Sequence, residues 1–246
     1  LLAAWGPQPQ GVLHRERARS YDLVHQITHL RFDWSRHAVL GTTTVHVAAL
    51  DTALRIVTLD AVGMTIASVR GGARADAGPK LRFSSSDSTL AIVLAHPAVP
   101  HQTVVLTITY ETVNPVKGLH FIDRRHVLWT HGETSENRYW VPTYDYPNDL
   151  TTWEFYVRVP KHEKAFSNGR LVGMRPIGND VEWHWSLDKP AATYLMSVVT
   201  GDYTMLTDSS ATHPIHYWVY PDSVAAGWRG FGVTPHAMAL FERTIG

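Results

Sequence analysis

From Tyr21 to Tyr220 most of the chain alternates apolar and polar residues with a period of two. In "YDLVHQITHLRFDW", Leu23, His25 and Ile27 fall on one side, and Val24, Gln26 and Thr28 on the other. "TTTVHVAAL", "LRIVTLDA", "MTIASVR", "KLRFS", "TLAIVLA" and "QTVVLTITYE" continue the pattern, each short and rich in Val, Ile and Thr. Successive side chains of a strand point to opposite faces, so these segments predict strands with one buried face. Clusters such as "RGGARADAGP" and "SSSDS" separate them and carry the residues that turns require. "EFYVRVP", "AFSNGRLVG", "VEWHWSLD", "ATYLMSVVTGDY" and "HPIHYWVYP" extend the series; in "EWHWSL", Trp183, Trp185 and Leu187 share the core face, opposite His184 and Ser186. Many short strands at this spacing predict an all-β domain, a multi-stranded, mostly antiparallel assembly of sandwich or saddle-like type.

Helical signals gather at the end. "SVAAGWRGFG" is equivocal. "TPHAMALFERTIG" offers Thr234 as N-cap, Pro235 at the first helical position, and Met238 and Phe241 three apart. This helix runs into the last residue of the sequence, so a neighbouring domain is expected after it.

Composition narrows the function. The 246 residues suffice for one large domain or two modest ones. Lys plus Arg and Asp plus Glu both number 22, leaving no basic excess to neutralise phosphates, so nucleic acid is not an expected partner. Without cysteine there are no disulfides, thiolate nucleophiles or cysteine-based zinc sites. No run approaches the ~20 apolar residues of a membrane helix, so no membrane span is expected. The mixed opening "LLAAWGPQPQG" fits a tag scar or the remnant of an export signal, and leaves the compartment open between exported and cytoplasmic.

Fifteen histidines invite a metal site, and "HQITH" at His25–His29 has the spacing of a zinc-binding helix. Gln26, however, occupies the place of the general-base glutamate in H-E-x-x-H. The segment also alternates as a strand, on which residues four apart stand ~13 Å from each other. Two imidazoles sharing a zinc must each reach it at ~2.0–2.1 Å. A strand pair is therefore the expectation, and the chain itself is expected to hold no metal. No nucleophile elbow, P-loop or dinucleotide fingerprint occurs. Glu182 and Asp188 flank the Trp-rich strand as solvated strand ends, and core packing takes precedence over a sugar-binding groove for its tryptophans.

One stretch does not fit a plain turn. "THGETSENRYWVPTYDYPND", Thr130 to Asp149, sets Glu133, Glu136, Asp145 and Asp149 among aromatic residues and prolines. It resembles the signature in the N-terminal β domain of the aminopeptidase N family of zinc metallopeptidases. That family reads T-Q-x-E followed by R-x-x-x-P-x-x-D-x-P. Thr130, Glu133, Arg138, Pro142, Asp145 and Pro147 match it without a gap. "YDLVHQITHLRFD" is similar to the family's opening strand, "KGLHFID" to the piece before the signature, "FSNGRLVG" to the hairpin after it, and "KPAATYLMSVVTGDY" to the strand leading toward the catalytic domain.

The resemblance implies three regions: an N-terminal tail over 1–19, the β domain over 20–228, and a linker with the first helix of a thermolysin-like catalytic domain over 229–246. The family's G-x-M-E-N and H-E-x-x-H segments do not occur here, so zinc is expected in the parent enzyme, with its ligands outside this chain. Glu133 is implied as the carboxylate that receives the free N-terminal amine of a peptide substrate, with Gly132 allowing close backbone approach or positive φ, and the aromatic and proline residues stiffening the loop. His131 replaces the family's glutamine and could donate to substrate in its stead, or make binding pH-dependent. The alternative for Glu133 is a plain ion pair with Arg138, while Glu136 and Asp145 are expected to be structural. The aromatics of Thr130–Asp149 and those from Trp218 onward are expected to form a bare surface for the parent's own catalytic domain. A second functional class stays open: a non-catalytic scaffold of the same fold.

Overall fold

The computed structural model describes residues 16–50, 53–211 and 213–245. Most of the expected 1–19 tail lies outside them. Among these residues sixteen strands follow in chain order: β1 (Tyr21–Asp33), β2 (Ala38–Ala49), β3 (Leu54–Asp60), β4 (Met64–Gly71), β5 (Phe83–Ser85), β6 (Thr89–Ala98), β7 (Thr103–Val113) and β8 (Leu119–Ile122) form the first half. The second half comprises β9 (Val127–Thr130), β10 (Thr151–Pro160), β11 (Lys164–Ser167), β12 (Arg170–Ile177), β13 (Asp180–Ala191), β14 (Val198–Gly201), β15 (Thr204–Asp208) and β16 (Ile215–Val219). Two α-helices follow among the described residues, α1 (Val224–Phe231) and α2 (Thr234–Thr244). The all-β expectation holds, and "SVAAGWRGFG" resolves as a helix.

A seven-stranded sheet in the order β12-β13-β10-β1-β2-β7-β4 is the platform. Its pairs are antiparallel except β1 with β10, where His25 lies opposite Thr152 in parallel register. The three-stranded sheet β3-β6-β5 and the four-stranded sheet β11-β14-β9-β8 pack on the platform. Between the platform and the first, Leu23, Val45, Ile108, Leu59 and Ile92 form one core. Between the platform and the second, Leu30, Trp153, Phe155, Leu128 and Val198 form another. Both draw on odd-numbered residues of β2 (Val39, Val45, Val47), so both small sheets cover the same face. The opposite face carries His25, His29, Tyr156 and His184, with Tyr156 stacked between His29 at 4.3 Å and His184 at 4.0 Å.

The simple alternation expected for β1 is broken. A bulge between Leu23 and His25 shifts the register against β2. Leu23 is therefore buried on the same side as Gln26, Thr28 and Leu30, and not with His25 and Ile27. The bulge coincides with a side-chain contact from far along the chain. The amide of Leu23 donates to Asp149 Oδ2 at 2.9 Å. Trp183 lies in the core with Trp185 and Leu187 against it, as their alternation predicts. At the other end of the chain Thr234 does not cap α2: it is the first helical residue, and its hydroxyl donates back to Phe231 O at 2.6 Å.

Candidate functional site

The segment after β9 leaves the four-stranded sheet and returns to the platform at β10. Its start is fixed by three hydrogen bonds, one to a side chain and two within the backbone. Thr130 Oγ1 accepts from Val198 N at 2.8 Å, His131 N donates to Gly118 O at 2.9 Å, and Glu136 N donates to Gly132 O at 2.9 Å. The last closes a tight turn around Glu133. Gly132 is required here for space and not for positive φ: a Cβ on it would lie 2.2 Å from Tyr194 O and 2.6 Å from Asn137 Nδ2. Any side chain would push the turn off its neighbours.

Asn137 is the centre of the turn's underside and is wholly buried. Its Nδ2 donates to Thr193 O at 2.6 Å, and its Oδ1 accepts from Trp140 Nε1 at 2.9 Å. Thr193 Oγ1 in turn donates to Tyr144 O at 2.9 Å. The far end of the loop is held by a buried amide on the platform. Gln26 Nε2 donates to Pro142 O at 3.3 Å and Thr43 Oγ1 at 3.0 Å, while Gln26 Oε1 accepts from Thr143 Oγ1 at 2.8 Å. Gln26 thus has a structural task, and "HQITH" lies on a strand: His25 Nδ1 meets Thr152 Oγ1 at 2.7 Å, and His29 stacks on Tyr156.

The loop's carboxylates divide sharply. Asp145 is buried and accepts from the Arg138 backbone N at 3.1 Å and its Nε at 3.2 Å, while Arg138 also approaches Asp60 at 3.6 Å. Burial pushes the Asp145 carboxyl up from its ordinary value, and these Arg138 contacts oppose the shift. Asp149 is buried against Leu23 N and paired with Arg19. Glu136 meets Lys117 Nζ at 3.0 Å. Glu133 is exposed and forms no side-chain hydrogen bond or ion pair with the described residues. Arg138, the alternative partner for Glu133, is committed to Asp145 and Asp60. His131 is also exposed beside it.

The loop's aromatics correct the expectation of a bare surface. Trp140 and Tyr144 are core residues, one in each of the two cores. The ring hydroxyl of Tyr110 also donates to Trp140 O at 3.0 Å. On the segments that adjoin the loop, exposed apolar side chains come instead from Trp129, stacked on His120, and from Leu195. The segment from Trp218 onward does keep them exposed, at Trp228, Phe231, Val233, Leu240 and Phe241. Asn137 and the Thr193–Leu195 turn are the site components that the sequence reading missed. An asparagine within an aromatic-rich turn carries no spacing signal of its own.

Zinc finds no fit among these residues: no group of three or more described His, Asp or Glu side chains is placed to hold a metal ion. No described helix is long and apolar enough to cross a membrane.

Residues 18–195 match the model of the peptidase M1 N-terminal domain. Among solved structures, the chain is similar to a two-domain M1 zinc metallopeptidase variant bound to L-tryptophan, with TM-score 0.70 and 19% identity, over 81% of this chain and 47% of that one. It is also similar to an M1 zinc metallopeptidase from Deinococcus radiodurans, with TM-score 0.69 and 20% identity, over 80% and 46%. A variant from the same organism bound to a Tyr-Ser-Ala substrate gives TM-score 0.68 and 19% identity, over 85% and 52%. The chain spans about half the length of these structures, and at such identities the likeness speaks for the fold. No curated protein sequence matches.

Proposed function

Because the chain belongs to the peptidase M1 N-terminal domain family, we propose that it is the substrate-facing β domain of a zinc-dependent aminopeptidase, with Glu133 as the acceptor for the peptide's free α-ammonium group. One observation carries the reading. Glu136, Asp145 and Asp149 each spend their charge within the domain, and Glu133 alone presents an exposed, unpartnered carboxylate on a turn fixed from below. An ionised carboxylate held at fixed geometry is suited to charge-assisted hydrogen bonds with an ammonium group. A carboxylate wanted only for folding is commonly consumed by a partner, as its three neighbours are. His131, exposed next to Glu133, is the second residue assigned to substrate. Its imidazole can donate to a peptide carbonyl. The ligands of the catalytic zinc are assigned to a catalytic domain of the parent protein, since the residues described here do not suit the ion.

The test is Glu133→Ala in the full-length enzyme. A hydrogen bond to a charged group is worth ~1.5–3 kcal/mol, and ~1.4 kcal/mol is a decade in rate. kcat/KM on free-amine peptides should fall by roughly ten- to a few hundred-fold. Binding of an inhibitor lacking the amine should be unaffected, and the thermal midpoint should hold, because an exposed unpaired carboxylate contributes little to stability. Full activity in the variant would leave Glu133 a surface residue. A full-length protein with no peptidase activity at all would favour the scaffold.

A further inference from the structure

We infer that Asn137 is the positioning residue of the Glu133 site, fixing the carboxylate by joining its turn to the Thr193–Leu195 segment. The inference rests on the reading of Glu133 as the ammonium acceptor. Glu133 makes no side-chain hydrogen bond or ion pair with the described residues, so its place is set by its backbone. That backbone rests on Gly132, whose α-carbon faces two groups: the Asn137 amide and Tyr194 O. Asn137 lies 56 residues from Thr193 along the chain, yet its Nδ2 reaches Thr193 O at 2.6 Å and Met196 O at 3.4 Å. Its other end is taken by the Trp140 indole at 2.9 Å, so the amide has one orientation. Around it, Thr193 Oγ1 bonds Tyr144 O at 2.9 Å and Val198 N bonds Thr130 Oγ1 at 2.8 Å. The two segments are therefore joined on both sides of the glycine, with Asn137 in the middle.

An apolar residue of similar size could fill the same buried space, but would fix neither segment's register. A buried amide with both ends satisfied specifies one arrangement, because any other leaves polar groups unpaired in a low-dielectric site. The consequence reaches the surface through Gly132: a change in Asn137 lets the turn relax, and the carboxylate moves with it. Misplacement by about an ångström can cost on the order of a hundredfold in rate.

The experiment uses the full-length enzyme with Glu133→Ala, Asn137→Ala, Gly132→Ala and the double variant Glu133→Ala/Asn137→Ala. Two quantities are read at a temperature where each protein is folded: kcat/KM on an aminoacyl nitroanilide, and the ratio of inhibition constants for an amino-acid amide and its des-amino analogue. Asn137→Ala and Gly132→Ala should each lower kcat/KM by roughly ten- to a hundredfold and shrink the preference for the amine-bearing inhibitor. The double variant should lose no more than Glu133→Ala alone, because both act through one carboxylate. Gly132→Ala keeps the buried amide and serves if Asn137→Ala does not fold. Folded Asn137→Ala or Gly132→Ala enzyme with an unchanged inhibitor ratio overturns the positioning role, as do losses that add in the double variant. If Glu133→Ala alone is fully active, the reading of Glu133 has failed first, and this inference falls with it.

Discussion

At the scale of single residues, the same loop holds carboxylates in opposite surroundings, Glu133 exposed and Asp145 buried. Asp145 is buried, and its compensation is Arg138 with two N–H groups. Removing one partner of a buried pair leaves an uncompensated charge, at a cost of ~3–5 kcal/mol. Arg138→Met should therefore destabilise the chain by several kcal/mol in urea unfolding, and adding Asp145→Asn should recover a substantial part. Glu133→Gln should leave the free energy of unfolding within about 0.5 kcal/mol. The structural place of Asp145 beside Arg138 was legible because the motif that holds both is contiguous in sequence. Asn137 was not, since its role is defined by Thr193 and by a glycine with no room for a side chain. No local pattern encodes a contact 56 residues away.

Among the elements, the strands were readable because alternation is a property of each segment alone. Which face each strand buries was less so. In β1 the phase changes where Asp149, 126 residues on, takes the Leu23 amide out of the ladder. A bulge made by so distant a residue leaves no mark on the alternation beside it. The helices differ from the strands in what supports them. α2 buries none of its residues, and Phe241 is 59% exposed. An isolated helix of its length is marginal in water, where packing of an apolar face supplies most helical stability. Hydrogen exchange should find the amides of Thr234–Thr244 little protected in the isolated chain and those of β1, β2 and β10 strongly protected. If a catalytic domain covers α2 in the full-length protein, its protection should rise there. Slow exchange of α2 in the chain alone would count against that.

For the molecule as a whole, the open face of the platform sets a response to acid. Burial holds the imidazoles of His29 and His46 below the ordinary histidine value, and nearby His25 adds to the effect at His46. Unfolding returns both to water, where they take protons below about pH 6.5. The unfolded state then binds more protons than the folded one, so stability present above that pH is lost as pH falls through it. The thermal midpoint should drop between about pH 7.5 and 5.5, and His46→Leu should make the slope shallower. Asp145 works in the other direction at lower pH, since its raised folded value favours the protonated form. The parallel seam between β1 and β10 bears on how the chain is made. β1 sits near the centre of the platform, yet β10 begins only at Thr151. While the ribosome adds the intervening residues, β1 can pair with β2, but its other edge stays open, and the Asp149 carboxylate that caps Leu23 does not yet exist. An unpaired strand edge is a template for a stray chain. Nascent chains halted before β10 should therefore be the aggregation-prone stage of synthesis, and passage of that strand from the exit tunnel the moment at which the platform becomes safe from its neighbours.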